Sequence, residues 1–204
     1  MPIFPVPVFT RVIYPGLNQI IYFPQILLRD PIVQERINQT IFQEVQSLMK
    51  KQTDGMPGTV VEMIGTYEVK NNQRNILSLT LSNYTYHEKA AHGMTYLRSL
   101  TFDLDTGKSY ALSELFKPES AYIERLSTLI QQQIHERNIP LLHDFTTIRA
   151  EQDFYIADKT LVIFFQLYEI TPYVYGFPMF PITVYELQDI IAENGPLAKM
   201  LVSN

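Results

Sequence analysis

The stretch that most constrains this chain is an apolar hairpin that leads directly into a loop rich in tyrosine, proline and glycine. Its arms are Phe154–Ile156 and Thr160–Ile170, joined by Ala157-Asp-Lys159. The second arm is apolar on both faces, which favours a central place in a sheet. The loop that follows contains Pro172 and Gly176. This stretch predicts a sheet core, and it contains no recognisable catalytic motif.

Three further strands precede the hairpin. The pattern predicts strands over Thr59–Val69, Ile76–Tyr86 and Met94–Leu104, because apolar and polar residues alternate within them with a period of two. The loops between them are short, and residues Asn71–Asn75 and Asp105–Lys108 have the composition of turns. Consecutive strands joined by short loops indicate an antiparallel meander.

Two long helices are predicted from apolar residues that recur on one helical face. The first runs from Pro31 to Lys51, with Asp30 as its N-cap. Its predicted inward residues are Val33, Ile37, Ile41, Val45 and Leu48. The second runs from Pro118 to Asn138, with Ile123, Leu126, Ile130 and Ile134 inward. A short helical turn is expected at Ser113–Phe116, and a short C-terminal helix near Tyr185–Glu193 would end at Asn194-Gly195.

The N-terminal region is predicted to be extended. Pro2, Pro5 and Pro7 favour an extended arm, and Ile20–Leu28 has the composition of a strand. Because Pro24 cannot donate a backbone hydrogen bond to a ladder, this strand is expected at a sheet edge or with a bulge.

These elements define an α+β fold: an antiparallel, meander-like sheet covered by two long helices and a short C-terminal helix. At 204 residues the chain suits one compact unit. We divide it into an N-terminal strand–helix–hairpin part, residues 1–90, and a C-terminal sheet–helix part, residues 91–204. The first helix is expected to cover the sheet, although such a stripe also serves dimerisation.

The composition excludes several functional classes. The formal net charge of -5 argues against nucleic acid as a partner. Without cysteine there are no disulfides, thiolate metal sites or cysteine nucleophiles. No apolar run approaches the length of a membrane span, so membrane insertion is not expected. The first ten residues do not resemble a signal peptide, which predicts either a cytosolic protein or the prior removal of an export segment.

Two groups of residues have the chemistry of a site. Tyr168, Glu169, Tyr173 and Tyr175 lie where the central strand is expected to end, and aromatic rings beside a carboxylate suit a glycan or a peptide. Alternatively, Glu169 satisfies buried donors while the rings complete the core. His92 is also a candidate ligand-binding residue. A metal held by His87, Glu88 and His92 is the alternative to a turn fixed by His92-Gly93.

No catalytic residue is assigned. There is no Gly-x-Ser-x-Gly, no His-Glu-x-x-His and no phosphate-binding glycine loop, and we expect no cofactor. Asp103 and Asp105 could form a carboxylate pair, but Asp-Thr-Gly-Lys is more simply a hairpin turn with Gly107 at positive φ.

The order of several motifs resembles the bacterial domain-of-unknown-function family 3298 over about residues 91–187. The motifs are His92-Gly93, Thr101–Lys108, Leu112–Phe116, Phe154-Tyr155, Leu161–Phe165 and Tyr168–Tyr173 with Gly176. The preceding part resembles domain-of-unknown-function family 4163. The resemblance implies a module of the Gram-positive cell envelope. One branch of these families is the ectodomain of an anti-sigma factor that binds lysozyme, and another accompanies a peptidoglycan deacetylase domain.

Three hypotheses follow. The first is a non-catalytic binding or sensor module whose partner is a lysozyme-like protein or a cell-wall glycan. The second is a peptidoglycan-related enzyme acting through residues near His92 and Glu169. The third is a cytosolic structural protein, with a partner surface near the proline-rich arm and Tyr84–Tyr86.

Overall fold

A computed structural model describes residues 5–54 and 58–201, and the chain forms two compact units. The first is Met1–Ser109 and the second is Tyr110–Asn204. The boundary that we placed after residue 90 differs from this division, because the strand beginning at Met94 pairs within the first unit. Both units combine helices with largely antiparallel strands, so the predicted α+β class is confirmed.

The first unit contains a five-stranded sheet in the order β1-β2-β3-β4-β5. The strands are β1 (Val8–Ile13), β2 (Gln19–Ile26), β3 (Val60–Gln73), β4 (Ile76–His87) and β5 (Met94–Asp103). The meander of β3, β4 and β5 is antiparallel as predicted. The β2–β3 pair is parallel over Gln19–Ile21, so the sheet is mixed and not wholly antiparallel.

The N-terminal prediction needs two corrections. A strand that was not predicted, β1, follows Pro5 and Pro7 of the expected arm and pairs with β2 over six residue pairs; Pro2 lies outside the described residues. As a result β1 is an edge strand of the sheet and β2 is internal. Pro24 is nevertheless accommodated, because it lies beyond the three residues of β2 that pair with β3. Its missing N–H therefore interrupts no β2–β3 ladder bond.

Helix α1 (Pro31–Thr53) confirms the first predicted helix and extends it by two residues. Asp30 caps it by accepting hydrogen bonds from the backbone N–H groups of Ile32 and Val33, at 2.8 and 3.2 Å. All five residues of the predicted inward stripe are buried. They pack with the apolar residues of β2, β3 and β4 to form the core of this unit.

Two turns determine the register of the long strands. Arg74 and Asn75 both have positive φ, 55° and 59°, so β3 and β4 are joined by a tight two-residue turn. The sequence predicted a longer turn from Asn71, whereas β3 continues to Gln73. After β5, Gly107 adopts φ 73° as predicted, in a turn closed by the Gly107 N–H donating to the Asp103 carbonyl at 2.8 Å.

The second unit begins with a 3₁₀ turn at Leu112–Leu115 and helix α2 (Tyr122–Glu136). This helix is shorter than the predicted Pro118–Asn138. Glu119 has a positive φ of 60°, and the N–H of Ser120 donates to the carbonyl of Lys117, so a turn replaces the first expected helical residues. The inward face is partly as predicted: Leu126 and Ile130 are buried together with Ser127.

The second sheet is antiparallel, with β7 (Thr160–Phe164) between β6 (Phe154–Ala157) and β8 (Met179–Thr183). The central position of the apolar arm is therefore confirmed, but the arm leaves the sheet after Phe164 and not at Ile170. The predicted helix near Tyr185–Glu193 is wrong. A 3₁₀ turn occupies Val184–Leu187, and α3 (Pro196–Leu201) begins after Gly195, with proline at its first position.

Candidate functional site

The candidate site in the second unit is the loop from Gln166 to Gly176, which we call the tyrosine loop. It begins with a turn in which the N–H of Glu169 donates to the carbonyl of Gln166 at 3.1 Å. A second hydrogen bond of 2.7 Å spans the same turn, from the N–H of Gln166 to the Glu169 carboxylate. Between them Tyr168 has a φ of 65°, in the left-handed region that side-chain-bearing residues rarely adopt. This geometry turns the Tyr168 ring outward, leaving it 46% exposed.

Glu169 links the tyrosine loop to the segment before β6. Its Oε1 lies 2.9 Å from Nη2 of Arg149, and its Oε2 accepts the backbone bond already described. Beside this pair, the Gln166 amide donates to the carboxylate of Asp153 at 2.9 Å. The loop is thus braced by polar contacts at its first and fourth residues.

The aromatic part of the loop has defined geometry as well. The rings of Tyr168 and Tyr173 lie 5.5 Å apart between centroids and are inclined by 31°. Tyr173–Tyr175 form a 3₁₀ turn, ended by Gly176 at φ 79°. Val174 at its apex is 93% exposed and Tyr175 is 36% exposed. The loop therefore presents aromatic and aliphatic surface from an ordered backbone, which is typical of ligand-binding loops.

His92, the fifth candidate, lies in the first unit, in the turn before β5. It is exposed, and its Nδ1 lies 2.8 Å from the carbonyl oxygen of Gly93. Glycine is needed at position 93, since an added Cβ would fall 2.2 Å from the Tyr84 ring. This local packing corresponds to the predicted turn.

His87 is the nearest histidine in sequence, but it has a different environment. Its ring is buried, with Nδ1 3.3 Å from the Gly58 carbonyl and Nε2 2.8 Å from that of Gln52. Both nitrogens thus face backbone oxygens near the end of α1. Across residues 5–54 and 58–201, no three histidine, aspartate or glutamate side chains are grouped as metal ligands.

The aspartates of the Asp-Thr-Gly-Lys turn also have structural contacts. Asp103 Oδ1 accepts from the N–H groups of Asp105 and Thr106, both at 3.0 Å. The Asp105 carboxylate accepts from the amide of Asn75. These contacts fix the β5 turn, and they agree with the hairpin interpretation and not with a carboxylate pair.

Sequence reasoning missed a cleft of about 450 Å³ along the start of α2. Its lining is rich in hydroxyl groups, including Tyr122, Ser127 and Thr147. Burial raises the pKa of Tyr122 above its ordinary value, and the negative charge of Glu151 raises it further. The available signal was a set of polar residues that share one face of α2 by helical spacing, namely Glu124, Ser127, Thr128 and Gln131.

Comparison with known proteins finds two family models, each of which matches part of the chain. Residues 113–185 match the model of a family described as "Protein of unknown function (DUF3298)", and residues 13–95 match one described as "Deacetylase PdaC". No curated protein matches the chain.

Two crystal structures of DUF3298 family proteins resemble the chain in fold over nearly its whole length. One is a DUF3298 family protein from Pseudomonas aeruginosa PAO1, with a TM-score of 0.70 and 13% identity, covering 98% of both chains. The other is a DUF3298 family member from Bacteroides fragilis NCTC 9343, with a TM-score of 0.67 and 15% identity, covering 96% of both. At this identity the likeness establishes the fold alone. In the described residues, no helix has the length and apolar character needed to cross a membrane.

Proposed function

We propose that this protein is a non-catalytic binding module of the bacterial cell envelope, and that the tyrosine loop is its ligand-binding surface. The ligand is a lysozyme-like protein or a cell-wall glycan. The observation that carries the proposal is the ordered exposure of Tyr168, Val174 and Tyr175 on one short loop. The envelope placement rests on the family resemblance.

Preorganisation is the physical basis of the proposal. A loop that is ordered before binding loses less conformational entropy when the ligand arrives, so more of the contact energy appears as affinity. Tyrosine contributes a large, rigid ring with a hydroxyl group, which allows stacking and hydrogen bonding with one side chain. The bracing by Glu169 and Arg149 supplies the required order.

The contacts of Glu169 also favour binding over catalysis at this loop. A general acid or base needs a carboxyl group that reaches the reacting atoms. Here one oxygen is paired with Arg149 and the other accepts the Gln166 N–H. We therefore assign Glu169 a positioning role in the tyrosine loop.

Isothermal titration calorimetry of the full chain against lysozyme, and separately against soluble muropeptides, tests this function. We expect binding to one of them, weakened about tenfold or more by Tyr168→Ala, since tyrosine is enriched among the few interface residues that carry most of the binding energy. The control is Tyr185→Ala, another tyrosine of the second unit, 50% exposed and outside the loop. Absence of binding to both ligands at high micromolar concentration contradicts the proposal.

The second candidate function is a deacetylase, or another enzyme acting on peptidoglycan-like sugars. The observation that favours it is the match of residues 13–95 to the model described as "Deacetylase PdaC". This match falls in the first unit, where His92 is the exposed candidate. Release of acetate from N-acetylated glycan by the purified chain, lost in His92→Ala, would establish this alternative. The binding proposal predicts no release.

A further inference from the structure

A groove of about 350 Å³ in the first unit lies between the β1–β2 hairpin and α1. This volume is near the lower end of the roughly 300–1,000 Å³ typical of ligand pockets. One wall comprises residues of β1 and β2, including Arg11 and Gln25, and the other comprises residues of α1. It lies outside the unit that contains the tyrosine loop.

The helical wall is a second stripe on α1, distinct from the buried one. Glu35, Asn38, Gln39 and Phe42 follow each other at spacings of three, one and three residues, so they share one helical face. The buried stripe of α1 already covers the sheet. The presence of Phe42 on this second, partly exposed stripe is therefore not explained by core packing alone.

The apolar surface of the groove includes two aromatic rings. The rings of Phe23 and Phe42 lie 5.4 Å apart between centroids and are inclined by 45°. Phe42 is 37% exposed, and Val12 on the opposite wall is 41% exposed. An exposed ring face of this kind packs against the C–H face of a sugar ring, since both surfaces are apolar.

The helical wall of the groove is fixed to β2 by Asn38. Its amide oxygen accepts from the N–H of Ile26 at 2.9 Å, and its amide nitrogen donates to the carbonyl of the same residue at 3.0 Å. These two hydrogen bonds join α1 to the end of β2. The groove is consequently formed before any ligand binds, which lowers the entropic cost of binding.

Polar groups at the rim of the groove can form more hydrogen bonds than they form within the protein. Glu35 accepts one hydrogen bond from the amide of Gln39, and Arg11 donates one to the amide oxygen of Gln25. A carboxylate and a guanidinium group can make several bonds each. Arg11 and Glu35 form no ion pair within the described ranges, and they are the two charged residues of the lining. Their charges cancel, which disfavours a strongly anionic or cationic occupant.

We propose that this groove is a second ligand site, which binds one or two rings of a neutral saccharide. The Phe42 ring contacts the apolar face of the sugar, while Arg11, Gln25, Glu35 and Gln39 exchange hydrogen bonds with its hydroxyl or acetamido groups. The inference goes beyond the function proposed for the tyrosine loop, because it assigns a different site in the other unit.

The experiment is a titration of the ¹⁵N-labelled full chain with the trimer of N-acetylglucosamine, followed by NMR and by calorimetry. We expect shifts concentrated in residues 11–12, 23–25 and 35–42. Phe42→Ala should weaken binding by about three- to tenfold through the loss of ring contact. Phe42→Leu, which keeps apolar volume in the groove, separates loss of the ring from loss of folding. Ile32→Ala, at a 71% exposed position on the same helix, is the matched control and should bind normally.

Three results would overturn the proposal. One is the absence of saccharide binding to the unaltered chain at millimolar concentration. Another is unchanged affinity in both Phe42 variants with loss of binding in Tyr168→Ala; the saccharide would then belong to the tyrosine loop, and the function proposed for that loop would stand. The third is stronger binding of inorganic phosphate than of the trimer by the same residues, which would identify an anion site.

Discussion

The two units bury their apolar residues in different ways. In the first, one long amphipathic helix covers a sheet whose strands are six to fourteen residues long. In the second, the strands have only four or five residues, and aromatic rings pack edge-on. The Phe165 ring lies 5.9 Å from that of Phe145 and 5.7 Å from that of Phe180, both at nearly right angles.

The difference in strand length between the two units explains where an ordered binding loop forms. Long ladders leave little chain for loops, because most backbone groups bond to neighbouring strands. Short strands leave more chain between them, and individual side-chain bonds then hold that chain in place. The tyrosine loop, braced by Glu169, is an example in the second unit. The following four changes test this comparison, beginning with the largest expected effect.

Removal of one aromatic ring from the second unit should be very destabilising. Phe180 of β8 is fully buried, with the Phe165 ring edge-on to it. Phe180→Ala should lower the free energy of unfolding by about 3–5 kcal/mol, measured by urea denaturation. Tyr185→Ala, at an exposed neighbouring position, should change it by about 0.5 kcal/mol or less. A loss below about 1 kcal/mol for Phe180→Ala would refute the importance of the ring packing.

A smaller change tests how tightly α1 packs in the first unit. Ile41 is fully buried in the stripe, whereas Ile32 on the same helix is 71% exposed. Ile41→Val should cost about 0.5–1.5 kcal/mol in the same urea experiment, because one buried methylene is removed. The identical change at Ile32 is the matched control. Equal effects at the two positions would contradict the one-faced burial of α1.

Loss of the charge on Glu169 should affect the tyrosine loop more than global stability. The pair is partly exposed, with 62% of the Arg149 side chain accessible, so Glu169→Gln should cost at most about 1 kcal/mol. Hydrogen exchange at the N–H of Gln166 should become faster, since the neutral side chain accepts that bond less strongly. Glu193→Gln, at an exposed position, serves as the control. Unchanged exchange at Gln166 would show that Glu169 does not brace the loop.

The smallest effect concerns alkaline pH. Because the pKa of Tyr122 is raised in the folded protein, its contribution to stability is complete below the ordinary tyrosine pKa of about 10. It is lost as the pH rises through the higher pKa of the folded state. Tyr122→Phe should therefore flatten the fall in unfolding free energy above about pH 10, measured by urea denaturation at several pH values. A fall of the same size in the variant would contradict this assignment.

Most of the first unit could be predicted from its sequence because its burial is one-sided. The inward stripe of α1 and the meander of β3 to β5 have clear periods, and Asp30 marks the start of the helix. The strand β1 was missed because the prolines that precede it favour an extended arm and because most of its own residues are exposed. The internal place of β2 depends on pairing with residues far along the chain, which local pattern does not reveal.

Prediction was poorer in the second unit, where apolar runs are short and continuous. The end of the strand at Phe164 was not predicted, because apolar and aromatic residues continue to Ile170 with only Gln166 and Glu169 among them. After the strand, the Glu169 carboxylate accepts a hydrogen bond from the N–H of Gln166 and closes a local turn. The tyrosine cluster itself was visible as composition, but the positive φ of Tyr168 and the pairing of Glu169 with Arg149 were not. The face of α1 that contains Glu35, Asn38, Gln39 and Phe42 was not recognised, because the apolar residues of the adjacent buried face dominate the sequence pattern.

The central claim is that the tyrosine loop is a preorganised binding surface. The most direct test is an NMR titration of the ¹⁵N-labelled chain with lysozyme or soluble muropeptides, with shifts mapped by residue. We expect the chemical-shift changes caused by one of these ligands to include a cluster at residues 166–176, and we expect Tyr168→Ala to remove this cluster. If neither ligand shifts that loop, or the changes there persist in Tyr168→Ala, the claim is contradicted.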